Sequence, residues 1–512
     1  MLGIQLCNVA SGKSVPVKTL ANSPESFVVR NPATAEEVCA FSSTSNDDIH
    51  AIVEGAQRAF ASWSRGTWKQ RSQILFKFRS LCLEKYKEEL IELIVRENGK
   101  HKTDATASFL KGLETCEFAL SGNIGSGSIQ EVSGGITCQD RRDPLGIIVS
   151  ICPFNFPAMV PLWTIPILVA CGNCVIVKPS EKVPFTITRM VEIMHEAGLP
   201  GGVVSVVHGG KSVVQHLISH PSVSGVSFVG STPVAELVYR TSLNHGKRSI
   251  CLGGAKNHLV VLADADADQS STDILNSFAG SAGQRCMAAS VLVLVRTDDD
   301  DSERRLNHVL AQVVEKARAI KPGQLNPGEM GPVIDQEALD RISKYISDSE
   351  KEFGAKILLD GRSWSSSKKN NKGYWIGPTI MEHPFGSEDP ALREEIFGPV
   401  LSVVYESSLA DAIARINRSC YGNAASIYTR SGPAADAFAR SVQPGMIGVN
   451  VGVPVPREPF SFGGTKRSKF GIGDITGDGL IEFGTIRRKI TTKWGQALSL
   501  SNTDFVARNF TG

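Results

Sequence analysis

Between Gly146 and Leu262 the chain repeats one rhythm, a short apolar run followed by a segment with helical spacing. The runs are GIIVSIC (146–152), VIVKP (175–179), VVSVV (203–207), GVSFVG (225–230) and NHLVVL (257–262). Helical patterns fall between them near 183–196, 211–218 and 232–243. Strands that are apolar on both faces must be covered on both faces, which calls for a parallel sheet between two layers of helices. No other feature constrains the fold so strongly. Such sheets bind ligands at the carboxyl ends of their strands. A second block has the same character: VLVLVR (291–296) reads as a buried strand, and DDDDSE (298–303) starts a helix after it. The fold class is α/β.

One stretch competes with this reading. Pro144 to Val177 carries no charged residue, which is long enough to cross a bilayer. It also contains Pro144, Pro153, Pro157, Pro161 and Pro166, which would break a spanning helix. Buried strand, loop, short helix, buried strand is the better reading. The 512 residues, 42% hydrophobic and 21% charged, suffice for about three domains or two large ones with full cores. Lys and Arg number 54 against 52 Asp and Glu, so no global charge draws the chain to nucleic acid or to a membrane surface. Eleven cysteines are too few for a disulfide scaffold and suit a reducing compartment. The segment MLGIQLCNVASGK has no basic region ahead of an apolar one, so no secretory signal is expected.

Outside the alternating blocks, Ile49, Ile52, Val53, Ala56, Ala59, Phe60 and Trp63 mark an amphipathic helix with Asp47 and Asp48 at its start. A second helical pattern runs from about Trp68 to Glu97. The acid run 298–301 has the wrong spacing for a calcium loop and reads as helix-capping charge, so no metal is expected. Residues 362–372 read as a polar surface loop, and RRKITTK (487–493) as a solvated strand face.

Several residues suggest chemistry. Cys171 and Cys174 form an isolated CxxC, weak evidence for zinc or redox work, and Cys174 opens a buried strand. Cys286 lies among small residues in FAGSAGQRCMAAS, with Arg285 beside it to favour the thiolate; a buried structural thiol is the alternative. Asn155, in the uncharged stretch, is either a loop-bracing amide or an oxyanion donor at a strand end. Lys178 and Glu181 follow an apolar strand, where such side chains can hold ribose hydroxyls or form a surface turn. Gly230, Ser231 and Thr232 lead from a strand into a helix N-terminus able to receive a phosphate. Gly209 and Gly210 make a close turn after VVSVVH, but there is no GxGxxG.

In order along the chain, PFNFP, VIVKPSEKVP, GVSFVGST, GQRCM, GYWIGPTI, EEIFGPV and VNVGVPVPREPFSFGG resemble the NAD(P)-dependent aldehyde dehydrogenase superfamily. The likeness extends from VRNPATAEEV to FGTIRRKITTKW. ICPFNFPAMVPLW, GAKNH and AGQRCMA resemble its CoA-acylating methylmalonate-semialdehyde branch. The resemblance implies two doubly wound parallel-sheet domains and a small β oligomerisation element. The NAD-binding domain would take residues 1–125 and 145–254, and the catalytic domain 255–470. Residues 126–144 and 471–512 would form the oligomerisation element and C-terminal tail. It implies Cys286 as nucleophile and Asn155 as oxyanion donor. Lys178 and Glu181 would hold the adenosine ribose and Ser231 the pyrophosphate, beside the Gly209 and Gly230 turns. Glu395 and Phe397 would position the nicotinamide ribose and ring, and Cys152, Phe154, Lys182 and Gly253 would line the cofactor.

Hydrolytic members carry a water-activating glutamate in an ELGGK-like motif. Here the stretch is CLGGAK, and Leu252 stands 34 positions before Cys286, where that glutamate would be. A thiol acceptor needs less activation than water, so CoA is the expected acyl acceptor. Of the two arginines that hold a substrate carboxylate in this branch, Arg285 matches one and Lys111, in KGLETCEFA, replaces the other. Lysine keeps the charge and loses the bidentate fork. The expectation is NAD-dependent, CoA-acylating oxidation of malonate or methylmalonate semialdehyde to acetyl-CoA or propionyl-CoA with loss of CO2. A hydrolytic aldehyde dehydrogenase, a non-catalytic NAD-binding protein and a cysteine hydrolase remain as alternatives. The expected partners are a small aldehyde and further copies of the chain as a dimer or tetramer. The expected compartment is the cytoplasm, with the mitochondrial matrix as alternative.

Overall fold

A computed structural model of the chain describes residues 6–17, 25–121, 124, 127–133, 135–297, 299–366 and 372–494. Five strands form the centre of the first sheet: β1 (Ile147–Ile151), β2 (Cys174–Lys178), β3 (Val204–Val206), β4 (Val223–Val229) and β5 (Arg248–Leu252). They are parallel and lie in the order β3-β2-β1-β4-β5, with antiparallel Cys7–Ala10 beside β3 and Lys469–Gly471 beside β5. The order reverses between β1 and β4, the switch point at which doubly wound sheets open a crevice. Ile151 lies opposite Lys178 and Phe228, and Val229 opposite Leu252, so four carboxyl ends share one edge.

The uncharged stretch folds as β1, a loop, helix α3 (Met159–Ala170) and β2, with every residue of that helix buried. Among the described residues no helix is long and apolar enough to cross a membrane. Helix α1 (Asn46–Trp63) starts at Ser45, whose hydroxyl accepts from the Asp48 N–H, and it buries Ile49, Ile52, Val53 and Ala56. The pattern over 68–97 is broken: helices Trp68–Ser80 and Lys87–Asn98 flank a wide turn at Leu81–Lys85. Tyr86 and Lys85 are drawn to Glu196 at 2.6 and 2.8 Å, which turns the chain there.

The second sheet contains β6 (Asn257–Val261) and β7 (Ala289–Val295) at its middle. Val400–Glu406 and Thr379–Glu382 extend it on one side, and Ala424–Tyr428 and Met446–Val449 on the other, all parallel. Lys356–Leu359 adds an antiparallel edge. The run NHLVVL therefore leaves the first block, and the chain changes sheets across Gly253 and Gly254. The acid run enters the helix Asp300–Arg318 through an Asp299 cap, and Asp298 lies outside the described residues. The 362–372 segment holds a short helix, Ser363–Ser366, and its residues 367–371 lie outside the described ones.

A third sheet joins Ile129–Ser133, Ile136–Pro144 and Thr485–Lys493. Its exposed strands are laced by ion pairs, Arg487 to Asp140 at 2.7 Å and Arg488 to Asp143 at 2.6 Å. The boundary read near residue 470 cuts through Lys469–Gly471, a strand of the first sheet. The helix Gly477–Phe483 also packs on α3 and β5. The tail read as part of the oligomerisation element thus begins inside the first layer, because Leu480, Ile481 and Phe483 bury their side chains there.

Candidate active site

The carboxyl edge of the first sheet faces the amino ends of the second across a cleft of about 1030 Å3. The first layer supplies Cys152, Phe154 and Asn155 after β1, Lys178, Glu181 and Lys182 after β2, Gly230 and Ser231 after β4, and Gly253 after β5. The second supplies Cys286, Glu395 and Phe397. Twelve of the expected site residues thus converge. Gly209 does not line the cleft, though Gly210 does. Its φ of +149° turns the chain, and its carbonyl accepts from Lys178 Nζ at 3.2 Å, so it acts by holding that lysine.

Lys178 is buried and also meets Glu181 at 3.5 Å. Lys182 pairs with Asp335 across the cleft and lies over the Phe154 ring. Phe154 meets Phe397 edge-to-face, with centroids 5.8 Å apart. Phe397 itself has a positive φ of 55°. Ser231 caps helix α4 (Thr232–Asn244) without any side-chain hydrogen bond to it, so its hydroxyl is not consumed by the helix. A Cβ on Gly254 would come within 2.3 Å of Glu395 Oε2, so a glycine is required where this carboxylate enters. A cleft with polar side chains at the strand ends and an uncommitted helix N-terminus between them fits a dinucleotide.

The loop that leads to Cys286 is strained. Ser281, Ala282 and Gly283 follow one another at φ of 52°, 54° and 68°. A Cβ at Gly283 would strike the Gly398 carbonyl, and one at Gly280 would strike the Arg285 guanidinium. The small residues around Cys286 are thus needed for close packing. The loop is pinned from several sides. Asp104, on helix α2 (Lys102–Leu120) of the first layer, accepts from the Ser281 N–H at 2.9 Å. Gln284, buried, accepts from the Ile334 N–H at 3.0 Å. Asn257 and Asn423 both donate to the Cys286 carbonyl at 2.8 Å. Neither asparagine was singled out from the sequence. The quoted GAKNH contains Asn257, but nothing in a linear sequence ties it to Cys286.

Asn155 is buried and donates one amide hydrogen to the Gln284 carbonyl at 2.9 Å. The second hydrogen of that NH2 is left for the cleft. The backbone N–H groups of Cys286 and Met287 both favour negative charge on Sγ. Burial nevertheless pushes the Cys286 thiol up to about 12, and the Glu395 carboxylate adds to the rise. Arg285 does favour the thiolate, as expected, but only weakly. Arg285 donates to Asp104 Oδ1 at 2.8 Å and to the Asn276 carbonyl, and its pull on the thiol is the weakest of those acting.

Arg285 and Lys111 are not among the cleft-lining residues. Lys111 is paired with Glu114 at 2.6 Å and Glu458 at 3.6 Å. Any substrate carboxylate would join cations that already have acidic partners. Counting back from Cys286 puts Leu252 at the water-activating position, and matching the glycines puts Cys251 there. Both lie in β5 and are buried, and burial pushes the Cys251 thiol up to about 12, so neither is a base. No histidine lines the cleft, which removes the pairing a cysteine hydrolase needs. Among the described residues no cluster of metal-ligating side chains is found. Cys171 and Cys174 are buried free thiols.

Residues 19–488 match the family model described as the aldehyde dehydrogenase family. The chain belongs to that family. Among curated relatives of this aldehyde dehydrogenase, the malonate-semialdehyde dehydrogenase of Bacillus pumilus (strain SAFR-032) is 39% identical, covering 93% of this chain and 96% of that one. Malonate-semialdehyde dehydrogenase 3 of Geobacillus kaustophilus (strain HTA426) is 40% identical, with 93% and 96% covered. Among solved structures, the methylmalonate-semialdehyde dehydrogenase of Oceanimonas doudoroffii is 37% identical with a TM-score of 0.90, covering 96% of this chain and 99% of that one. A Sinorhizobium meliloti 1021 structure complexed with NAD is also 37% identical, with a TM-score of 0.89 and coverage of 97% and 99%.

Proposed function

We propose that this aldehyde dehydrogenase catalyses NAD-dependent, CoA-acylating oxidation of malonate or methylmalonate semialdehyde, yielding acetyl-CoA or propionyl-CoA with loss of CO2. The observation that carries the reading is a cleft-facing cysteine between oxyanion donors with no carboxylate on β5 to activate water. The malonate-semialdehyde and methylmalonate-semialdehyde relatives support the substrate class.

Cys286 Sγ attacks the aldehyde carbon once its proton has left. Asn155 Nδ2 and the Cys286 backbone N–H receive the developing oxyanion. One such donor typically contributes about 3–4 kcal/mol to the transition state. NAD, when bound, supplies the acceptor for the hydride that leaves the same carbon. Lys178, Glu181 and Ser231 grip its adenosine half, while Glu395 and Phe397 orient the nicotinamide half. The acyl group then rests on Cys286 as a thioester; its free carboxylate leaves as CO2, the electron pair of the broken C–C bond is held as the thioester enolate, and a proton from solvent completes the acetyl or propionyl group. Because neither Leu252 nor Cys251 can take a proton from water, the thiol of CoA is the better acceptor.

We assign residues 1–125 and 145–254, together with Lys469–Gly471 and Gly477–Phe483, to an NAD-binding half and 255–468 to a catalytic half, with the exposed third sheet joining subunits of a dimer or tetramer. Eleven free cysteines support a reducing compartment, taken as the cytoplasm. The test is NADH formation from both semialdehydes with and without CoA, with products identified by mass. Steady turnover only with CoA, giving an acyl-CoA, supports the assignment. Free acid made without CoA overturns it.

A further inference from the structure

Asn155 sits in a loop with little backbone support. Pro153 and Pro157, on either side of it, have no N–H to give, and among the described residues no backbone N–H reaches the Phe154 carbonyl. The Asn98 side chain takes that carbonyl instead, donating from Nδ2 at 2.8 Å. The Phe154 carbonyl shares a peptide plane with the Asn155 N–H, so the bond fixes the unit from which the Asn155 side chain projects. Lys100 sets its ammonium over the Phe156 ring, 4.2 Å from the centroid. Asn98 and Lys100, on either side of Gly99, therefore hold the two neighbours of Asn155. The turn between them needs its glycine: Gly99 has φ of +83°, and a Cβ there would crowd Pro32 and Pro332. The base of this grip is itself secured. Asn98 ends the helix Lys87–Asn98, and buried Glu97 accepts from the Phe185 and Thr186 N–H groups at 2.8 and 2.9 Å, at the start of the helix Phe185–Glu196. Gln324 donates to the Gly99 carbonyl at 2.9 Å.

We propose that Asn98 is a positioning residue that sets the direction in which the Asn155 amide meets the substrate oxygen. The proposal rests on the reading of Asn155 as an oxyanion donor. Asn98 is buried, and its Oδ1 has no partner among the described residues. An orphaned buried oxygen costs stability that an apolar side chain of the same shape would not. Packing alone therefore does not account for an amide here, and its donor end does. Turned over, the amide would set Oδ1 against the Phe154 carbonyl, so its orientation is fixed. The Asn155 amide is tied at its far end to the Gln284 carbonyl at 2.9 Å. Its other hydrogen is aimed only if the peptide behind it does not turn. Oxyanion donors work because they are fixed before charge develops, and a misplacement of about 1 Å costs roughly a hundredfold in rate. The Phe154 ring is held separately, by Phe397 and Lys182. Loss of the Asn98 bond therefore falls on the chemical step and spares the cofactor.

The experiment follows first-turnover NADH formation from malonate semialdehyde by stopped flow, on the intact protein at saturating NAD, with NAD affinity measured by calorimetry. Wild type, N98A, N155A and N98A/N155A are compared. N98A is expected to slow the first turnover about 10–100-fold. Its NAD affinity is expected to stay within about twofold of wild type, and N98A/N155A to match N155A, because a residue that acts through Asn155 has nothing left to act on. A wild-type rate in N98A overturns the proposal. So does a second loss in the double variant as large as that of N98A alone, or a fall in NAD affinity that accounts for the slower turnover. Should N98A fail to fold, N98L, which fills the volume and carries no orphaned oxygen, takes its place with the same outcomes. If neither folds, Asn98 serves stability and the proposal falls. N155A that turns over at the wild-type rate would instead overturn the reading of Asn155 as an oxyanion donor.

Discussion

The two parallel sheets meet the same cleft with opposite ends. The first presents the carboxyl ends of β1, β2, β4 and β5, where the chain passes into loops and helix starts. Backbone N–H groups and free side-chain ends point outward there, which suits phosphates and ribose hydroxyls. The second presents the segments that precede its strands. Cys286 lies three residues before β7, Glu395 and Phe397 lie shortly before Val400–Glu406, Asn423 precedes Ala424–Tyr428, and Asn257 opens β6. A residue just before a strand is held on one side by the sheet and must be pinned on the other by side chains. Thus one end binds through the backbone a parallel sheet offers anyway, and the other acts through specific side-chain braces.

The comparison predicts that losses will divide. C286A removes the proposed nucleophile and should lower NADH formation roughly 10^4-fold or more, as deletion of a nucleophile does elsewhere. NAD affinity measured by calorimetry should stay near wild type, since the first sheet is untouched. Comparable loss of NAD affinity would mean that the division is false. N155A removes the oxyanion donor proposed as the first sheet's contribution to the chemistry. It should lower kcat by about 10^2–10^3 with little change in KM for NAD, read by initial rates. N257A leaves the Cys286 carbonyl with one donor fewer and the Ala424 N–H without its acceptor. A stability loss of about 1–3 kcal/mol in denaturant unfolding is expected, together with a lower kcat. Unchanged kcat would show that this brace is dispensable. S231A should be the mildest, weakening NAD by about 2–10-fold at constant kcat, the range of one ordinary hydrogen bond.

Legibility follows the same division. The first sheet was readable because buried parallel strands are continuous apolar runs, and the strand ends at Lys178 and Gly230 carry their polar residues locally. Asn155 and Cys286 stood out through motif likeness, and the structure brings both to one cleft. What linear reading missed is long-range pairing. Asn423 and Asn257 reach the same carbonyl from distant strands. Arg285, which favours the thiolate only weakly, is also held by Asp104 from another layer. The wide turn at Leu81–Lys85 has no sequence signal, because Glu196, which draws it open, belongs to a later helix.

Asp104 belongs to a helix of the first layer, yet it secures the backbone of Ser281 and the guanidinium of Arg285 in the second. Positive φ angles at two non-glycine residues cost free energy that the isolated loop would release by relaxing. The geometry of the loop that carries Cys286 is therefore a property of the docked layers and not of either alone. A cut or substitution that lets them part would disarm the thiol before it unfolds the sheet that carries it. Such damage would register as inactivity in a protein that still has its secondary structure.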